Sequence, residues 1–305
     1  MSFVSNSTGA FFERSLNQLA VLREDAEDFQ TQIATGVRIQ RGSEDPVAAS
    51  RLRSLTRLEV RGATEEENAA RLRQDLEESS NQISGVVSLI QRARELAVQA
   101  ANDTQGEAGR AAIADELEQL ADELFTRSNA ISITGAPLFA GTAGAPAFTK
   151  AADGTVTYVG NTQVGTVPVA SGTDIERGIT GDALFEFDVA GTPTSSFEVF
   201  SQLAADLRGA SPDPQVAAQA ALAGLDEALN AANRNQTIVG TRAAWVEAIE
   251  DDQAERSINI AEKRSDIGDT NIADVIIRLQ NTLTALEASQ STFTRVSNLT
   301  LFNVI

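Results

Sequence analysis

The C-terminal stretch from Asn271 to Ile305 places the strongest constraint on this chain, because it carries an apolar stripe with nothing in its own length to pack on. Ile272, Ile276, Leu279, Leu283 and Leu286 step by four, three, four and three, and the register continues through Gln290 to Phe293, the spacing of a coiled-coil seam. A helix of that length reaches roughly 50 Å and cannot bury such a stripe against itself. It needs a second helix.

The N-terminal stretch offers one. Phe12, Leu16, Leu19, Leu22, Ala26, Phe29 and Ile33 also recur at helical steps and define one face. The two ends of the chain are therefore expected to pair with each other, or with the ends of other copies, while everything between is looped out. The residues expected at such an assembly interface are Phe12, Leu16, Leu19, Phe29 and Ile33 with Ile276, Leu279, Leu283, Leu286 and Phe293. The competing reading uses the same residues to fill the core of a monomeric bundle.

Charge and missing residue types remove many alternatives. The formal net charge is -19, with only two lysines, Lys150 and Lys263, so neither nucleic acid nor insertion at an anionic membrane is expected, since both reward clustered cations. The one basic stretch is the six arginines between Arg38 and Arg61, read as a solvated or ion-paired helix face or, alternatively, as a contact with an acidic neighbouring subunit. The chain has no cysteine and no histidine, which excludes disulfides, Ser-His-Asp and Cys-His catalysis and most zinc sites. No catalytic, cofactor-binding or metal-binding residue is assigned. A carboxylate-based helical enzyme or metal-binding protein stays open as an alternative, but its densest acidic groups, Glu250-Asp251-Asp252 and Glu44-Asp45, point in different directions along a helix and converge poorly on one ligand.

Between the ends the pattern is mostly helical. A first helix should stop near Thr35-Gly36, and Asp45-Pro46 reads as an N-cap followed by proline at the first helical position. Apolar residues then keep helical steps to about Ala101, Asn102-Asp103-Thr104 forms a turn and N-cap, and Ile113, Leu117, Leu120 and Leu124 fold back as an antiparallel partner. From Ala140 to Thr194 glycines and prolines mix with short alternating runs, and Asp153-Gly154 reads as a hairpin turn. Ser195 and Glu198 match a capping box, and Asp213-Pro214 opens another long helix that runs toward Lys263. The expected division is 1–40 N-terminal assembly helix, 41–139 and 195–267 helical rod, 140–194 β-rich outer domain, and 268–305 C-terminal assembly helix. The fold class is mainly α with a small β-rich insert, an elongated helical bundle or coiled-coil rod with its N- and C-terminal helices paired.

Several segments carry a resemblance. Thr35-Gly36-Val37-Arg38-Ile39 with Ser43-Glu44-Asp45-Pro46-Val47-Ala48-Ala49, the run Ile90-Gln91-Arg92-Ala93-Arg94-Glu95-Leu96-Ala97, and Leu138-Phe139-Ala140-Gly141 resemble the bacterial flagellin superfamily. Pro46, the stretches Tyr158-Val159-Gly160-Asn161 and Gly181-Asp182-Ala183-Leu184-Phe185, and the ending Leu299 to Ile305 are similar to the branch of that superfamily found at the hook-filament junction. The resemblance implies a flagellin-like fold and a secreted, extracellular structural subunit with no enzymatic activity and no cofactor, exported unfolded by the type III apparatus. The partners it implies are other copies, a hook-side junction protein, filament flagellin and an export chaperone on the C-terminal helix. It further implies terminal helices that fold on assembly. Filament-forming flagellin is the alternative within the same superfamily.

Overall fold

The computed structural model describes residues 3–102, 106–144 and 146–302. Its long helices are α1 (Phe3–Thr35), α2 (Pro46–Ala100), α3 (Glu107–Ser128), α6 (Pro214–Gly268) and α7 (Ile272–Phe302), with the shorter α4 (Gly181–Phe185) and α5 (Ser196–Ala205) between α3 and α6. Six strands form three separate antiparallel hairpins, β1 (Phe148–Lys150) with β2 (Val156–Tyr158), β3 (Thr166–Ala170) with β4 (Thr173–Glu176), and β5 (Glu186–Val189) with β6 (Thr192–Ser195). The chain is 72% helical. Two compact units result, one of residues 1–60 and 256–305, the other of residues 61–255.

Helix boundaries follow their capping chemistry. Asp45 Oδ1 accepts the Ala48 N–H at 3.0 Å to open α2, and Asp213 Oδ1 accepts from Gln215 and Val216 to open α6. Ser195 Oγ accepts the Glu198 N–H at 3.2 Å, but the Glu198 carboxylate turns to Thr194 Oγ1 instead of closing a reciprocal box. Asp103 and Thr104 lie outside the described residues, and α3 opens after Gly106.

In the second unit α2 is the spine. Arg94 to Asp226, Ser80 to Gln236 and Arg73 to Glu250 set α2 antiparallel to α6, while Arg92 to Glu116 and Gln82 to Arg127 set it antiparallel to α3. Leu72, Leu76, Ile83, Ile90 and Leu96 of α2 are buried in one core with Leu117 and Leu124 of α3 and Val239 and Val246 of α6. The hairpins share that core. Phe139, Phe148, Phe185 and Phe197 form one ring cluster with centroid separations of 5.1 to 6.3 Å, in which Phe185 meets Phe139 and Phe148 edge to face, as suits aromatic quadrupoles, and Phe197 packs at a tilt. Three of the segments that carry the resemblance meet here. The Phe139 carbonyl accepts the Gly181 N–H at 2.7 Å, and the Tyr158 hydroxyl donates to the Asn161 carbonyl at 2.7 Å. Burial, with the Asp182 charge behind it, pushes the Tyr158 phenol up to about 12.

The β3–β4 hairpin and the short helix α4 are tied to the long helices by side chains reaching backbone carbonyls. Asn68 donates to the Pro168 carbonyl at 3.0 Å, Gln253 to Val169 at 2.5 Å, and Asn235 to Ala183 at 2.7 Å. Arg177 pairs with buried Asp75 at 2.7 Å, and Arg242 bonds both Glu176 and the Gly178 carbonyl. The acidic composition of 140–194 suggests a surface element, yet Phe148, Val169, Ile175, Ile179, Leu184 and Phe185 are buried.

Candidate functional site

The first unit is built on the chain ends. Its hinge is local chemistry of the Thr35 to Asp45 segment. Gly36 takes φ +71, the left-handed conformation that ends α1 at little steric cost. The turn lets Val37 form a bridge with Asp269, framed by bonds from Arg38 N to the Gly268 carbonyl at 2.7 Å and from Thr270 N to the Gly36 carbonyl at 2.9 Å. The Arg38 guanidinium then caps α6 by donating to the Ile267 carbonyl at 2.8 Å, where a cation also suits the helix dipole. Glu44 accepts the N–H groups of Gln40 and Arg41, so the connector is closed on itself. These bonds deliver α1 and α7 side by side and antiparallel. Sequence periodicity does not reveal the roles of Arg38, Asp269 and Thr270, because each acts through the backbone.

Along that pair the Phe12 and Phe293 rings meet edge to face at 5.4 Å near one end, while Thr270 and Gln32 meet at 3.4 Å near the other. The covered face of α1 is Phe12, Ser15, Leu19, Leu22, Ala26, Phe29 and Ile33, and that of α7 is Val275, Leu279, Thr282, Leu286, Ser289, Phe293 and Val296. The structure therefore brings together Phe12, Leu19, Phe29 and Ile33 with Leu279, Leu286 and Phe293. It leaves three interface candidates outside the seam, since Leu16 is 54% exposed, Ile276 40% and Leu283 39%.

The geometry of α7 explains the division. Two seven-residue stripes overlap on it and share Leu279, Leu286 and Phe293. At about 100° per residue, Ile272, Ile276 and Leu283 lie roughly 60–100° around the axis from Val275 and Phe293. The half facing α1 includes the small polar residues Thr282 and Ser289, while Ile272, Ile276 and Leu283 on the other half are left exposed by the described residues. The flank is contiguous with the seam, so another apolar helix can lie along it.

Three of the acidic groups weighed as catalytic or metal-binding candidates are engaged otherwise. Glu250 pairs with Arg73, Asp45 caps α2, and Glu44 closes the connector. Among the described residues no group of three or more Asp or Glu could hold a metal ion, and no helix is long and apolar enough to cross a membrane.

A long helical hairpin closed by an aromatic cluster, with paired terminal helices, defines a flagellin-like structural protein, and residues 13–144 match the bacterial flagellin N-terminal helical region. In that region and in fold the chain is similar to the flagellin superfamily. Within the superfamily it is similar along its whole length to flagellar hook-associated protein 3. It is 26% identical over 98% of both chains to that protein of Escherichia coli (strain K12), and equally to that of Salmonella typhimurium. A flagellin of Halalkalibacterium halodurans is 34% identical over 97 residues, 30% of this chain and 34% of that one. Among solved structures, a flagellar hook-associated protein from Vibrio parahaemolyticus superposes with a TM-score of 0.67 at 23% identity, covering 74% of this chain and all of that one. Flagellar hook-associated protein 3 from Legionella pneumophila gives 0.64 at 14% identity over 71% and 98%. At these identities the structures establish the fold.

Proposed function

We propose that this chain is a structural subunit of the bacterial flagellum that stands at the junction between hook and filament and assembles through its terminal helices. The observation that carries the mechanism is the uncovered apolar flank of α7, Ile272, Ile276 and Leu283, beside a seam that α1 already occupies. These side chains are 39–48% exposed, so completing their burial is worth roughly half of the about 1.5–3 kcal/mol that full burial of each would give, and a further apolar helix laid along the flank can do it. The full-length likeness to flagellar hook-associated protein 3 supports the location. Its partners are then other copies of itself, a hook-side junction protein and filament flagellin, with an export chaperone covering α7 beforehand. It works outside the cell and performs no catalysis.

The test replaces Ile276 and Leu283 together by Asp in a source bacterium that lacks its own copy. Both side chains are exposed in the isolated chain, so the variant should fold with unchanged helicity. Hooks bearing no filament, with flagellin lost to the medium, are the expected result. Full-length filaments of normal number would overturn the reading. Filament-forming flagellin, the other member of the class, is separated by polymerising the purified chain alone, which should give no long filaments.

A further inference from the structure

The arginine stretch supplies one cluster that the seam does not use. Of its side chains, Arg38 caps α6 and reaches Asp45, Arg41 lies by Asp28 and Glu44, and Arg61 pairs with Glu65. Arg53 and Arg57 are exposed and make no ion pair among the described residues, Arg57 donating only to Ser54 Oγ. They are four residues apart on α2, so they stand on one face about 6 Å apart along the axis, with Val60, 64% exposed, one further turn on. Arg51 is likewise exposed without an ion pair but stands about 160° around the axis from Arg53, so Arg53 and Arg57 are the uncompensated pair that shares a face with an exposed valine, on a chain of net charge -19.

The same unit carries the complement. Glu13, Glu24 and Glu27 of α1 are exposed and make no ion pair among the described residues, Glu13 and Glu24 on the side of the helix opposite the covered face of Leu19, Leu22 and Ala26 and Glu27 at the edge of that side. Val21, 55% exposed, lies beside them, while Arg14 and Arg23 sit at the flanks. Glu24 and Glu27 are three residues apart, about 4.5 Å along the axis, which approximates the arginine spacing. Two helices laid side by side can therefore form two carboxylate–guanidinium pairs at once, with Val60 against Val21.

We propose that Arg53 and Arg57 of one copy dock on Glu24 and Glu27 of a second copy, an inference that rests on the self-assembly reading above. Because each copy presents both patches, the contact is heterologous and leaves one patch free at either end, which is the condition for a ring or a helical array. The pairs are at the surface, so they fix register and partner choice and respond to salt.

Charge exchange in the full chain tests this. Arg53→Glu/Arg57→Glu and Glu24→Arg/Glu27→Arg are each followed by sedimentation at low and at high salt, with circular dichroism to verify folding. Each should self-associate at least about tenfold more weakly than wild type at low salt, and an equimolar mixture of the two should regain association. Wild-type assembly matched by Arg53→Glu/Arg57→Glu, or a mixture that stays apart, sinks the arginine contact alone. Loss of incorporation beside other flagellar subunits with self-association intact puts a different protein on these arginines and overturns the second copy as occupant. A wild-type chain that stays monomeric throughout, at high concentration and low salt, sinks the self-assembly reading itself.

Discussion

Leu16, Ile276 and Leu283 show what pattern alone leaves open at the level of a single residue, since all three stand outside the α1–α7 seam. The apolar arc of α7 is wider than one helix can cover, and spacing cannot tell which half packs. The structure chooses the half with Thr282 and Ser289, and α1 turns Ser15 into the seam and the more apolar Leu16 out of it. Small polar residues at a seam are invisible to a search for apolar steps, although they permit close approach. Titration also belongs to this scale. Burial, followed by the nearby Asp182 charge, raises the Glu186 carboxyl above its ordinary value. The folded state then holds that proton more tightly than the unfolded chain, so its contribution is complete below the ordinary pKa and is lost as pH rises through the raised one. Glu186→Gln should therefore leave stability unchanged near pH 3 and increase it at pH 7, a difference that urea titrations at the two pH values measure. Equal effects at both would remove ionisation from the explanation.

At the scale of elements, the helix ends were readable because their signals are local. Asp45-Pro46, Asp213-Pro214, Ser195 and Gly36 each fix a boundary through one side chain or one φ value. The Asp153-Gly154 turn is where the dipeptide places it, with Gly154 at φ +90. What spacing could not show is that the three hairpins are separate sheets, and that the long helices reach β3 from Asn68 and Gln253 and the short helix α4 from Asn235. Those bonds join residues 52 to 100 positions apart, beyond any local signal. The α1–α7 seam makes its own prediction. Thr282→Val with Ser289→Ala adds apolar surface and helix propensity to the face that meets Leu19 and Leu22, and should stabilise the pair by on the order of 1 kcal/mol. Because a further helix is expected on the uncovered flank and not in this seam, assembly should not be slowed. Thermal melts of the free chain should rise while its rate of incorporation stays the same or increases, and a slower rate would mean that the pair has to open on assembly.

For the molecule as a whole, the two units differ in how much apolar surface holds them. Apart from Ala26, Ala48, Ala49 and Val275, every buried hydrophobic residue described belongs to residues 61–255, including the whole ring cluster. A unit whose fully buried hydrophobic residues are three alanines and a valine has little to offset the conformational entropy of two helices longer than thirty residues each. The first unit should therefore open at far lower free energy than the second, although both are helical. Hydrogen exchange over the whole chain separates them. In the dilute monomer, amides of α1 and α7 should exchange by local opening well before those of α2 around Leu72 to Ala97, and assembled material should protect them. The segment of α7 around Ile276 and Leu283 should gain most, because that is where a further helix would lie. Strong protection of α1 and α7 in a dilute monomer would mean that the seam suffices by itself, and the stripes would then be an ordinary core. Protection gained along α7 but not around Ile276 and Leu283 would keep assembly and move its contact to another face.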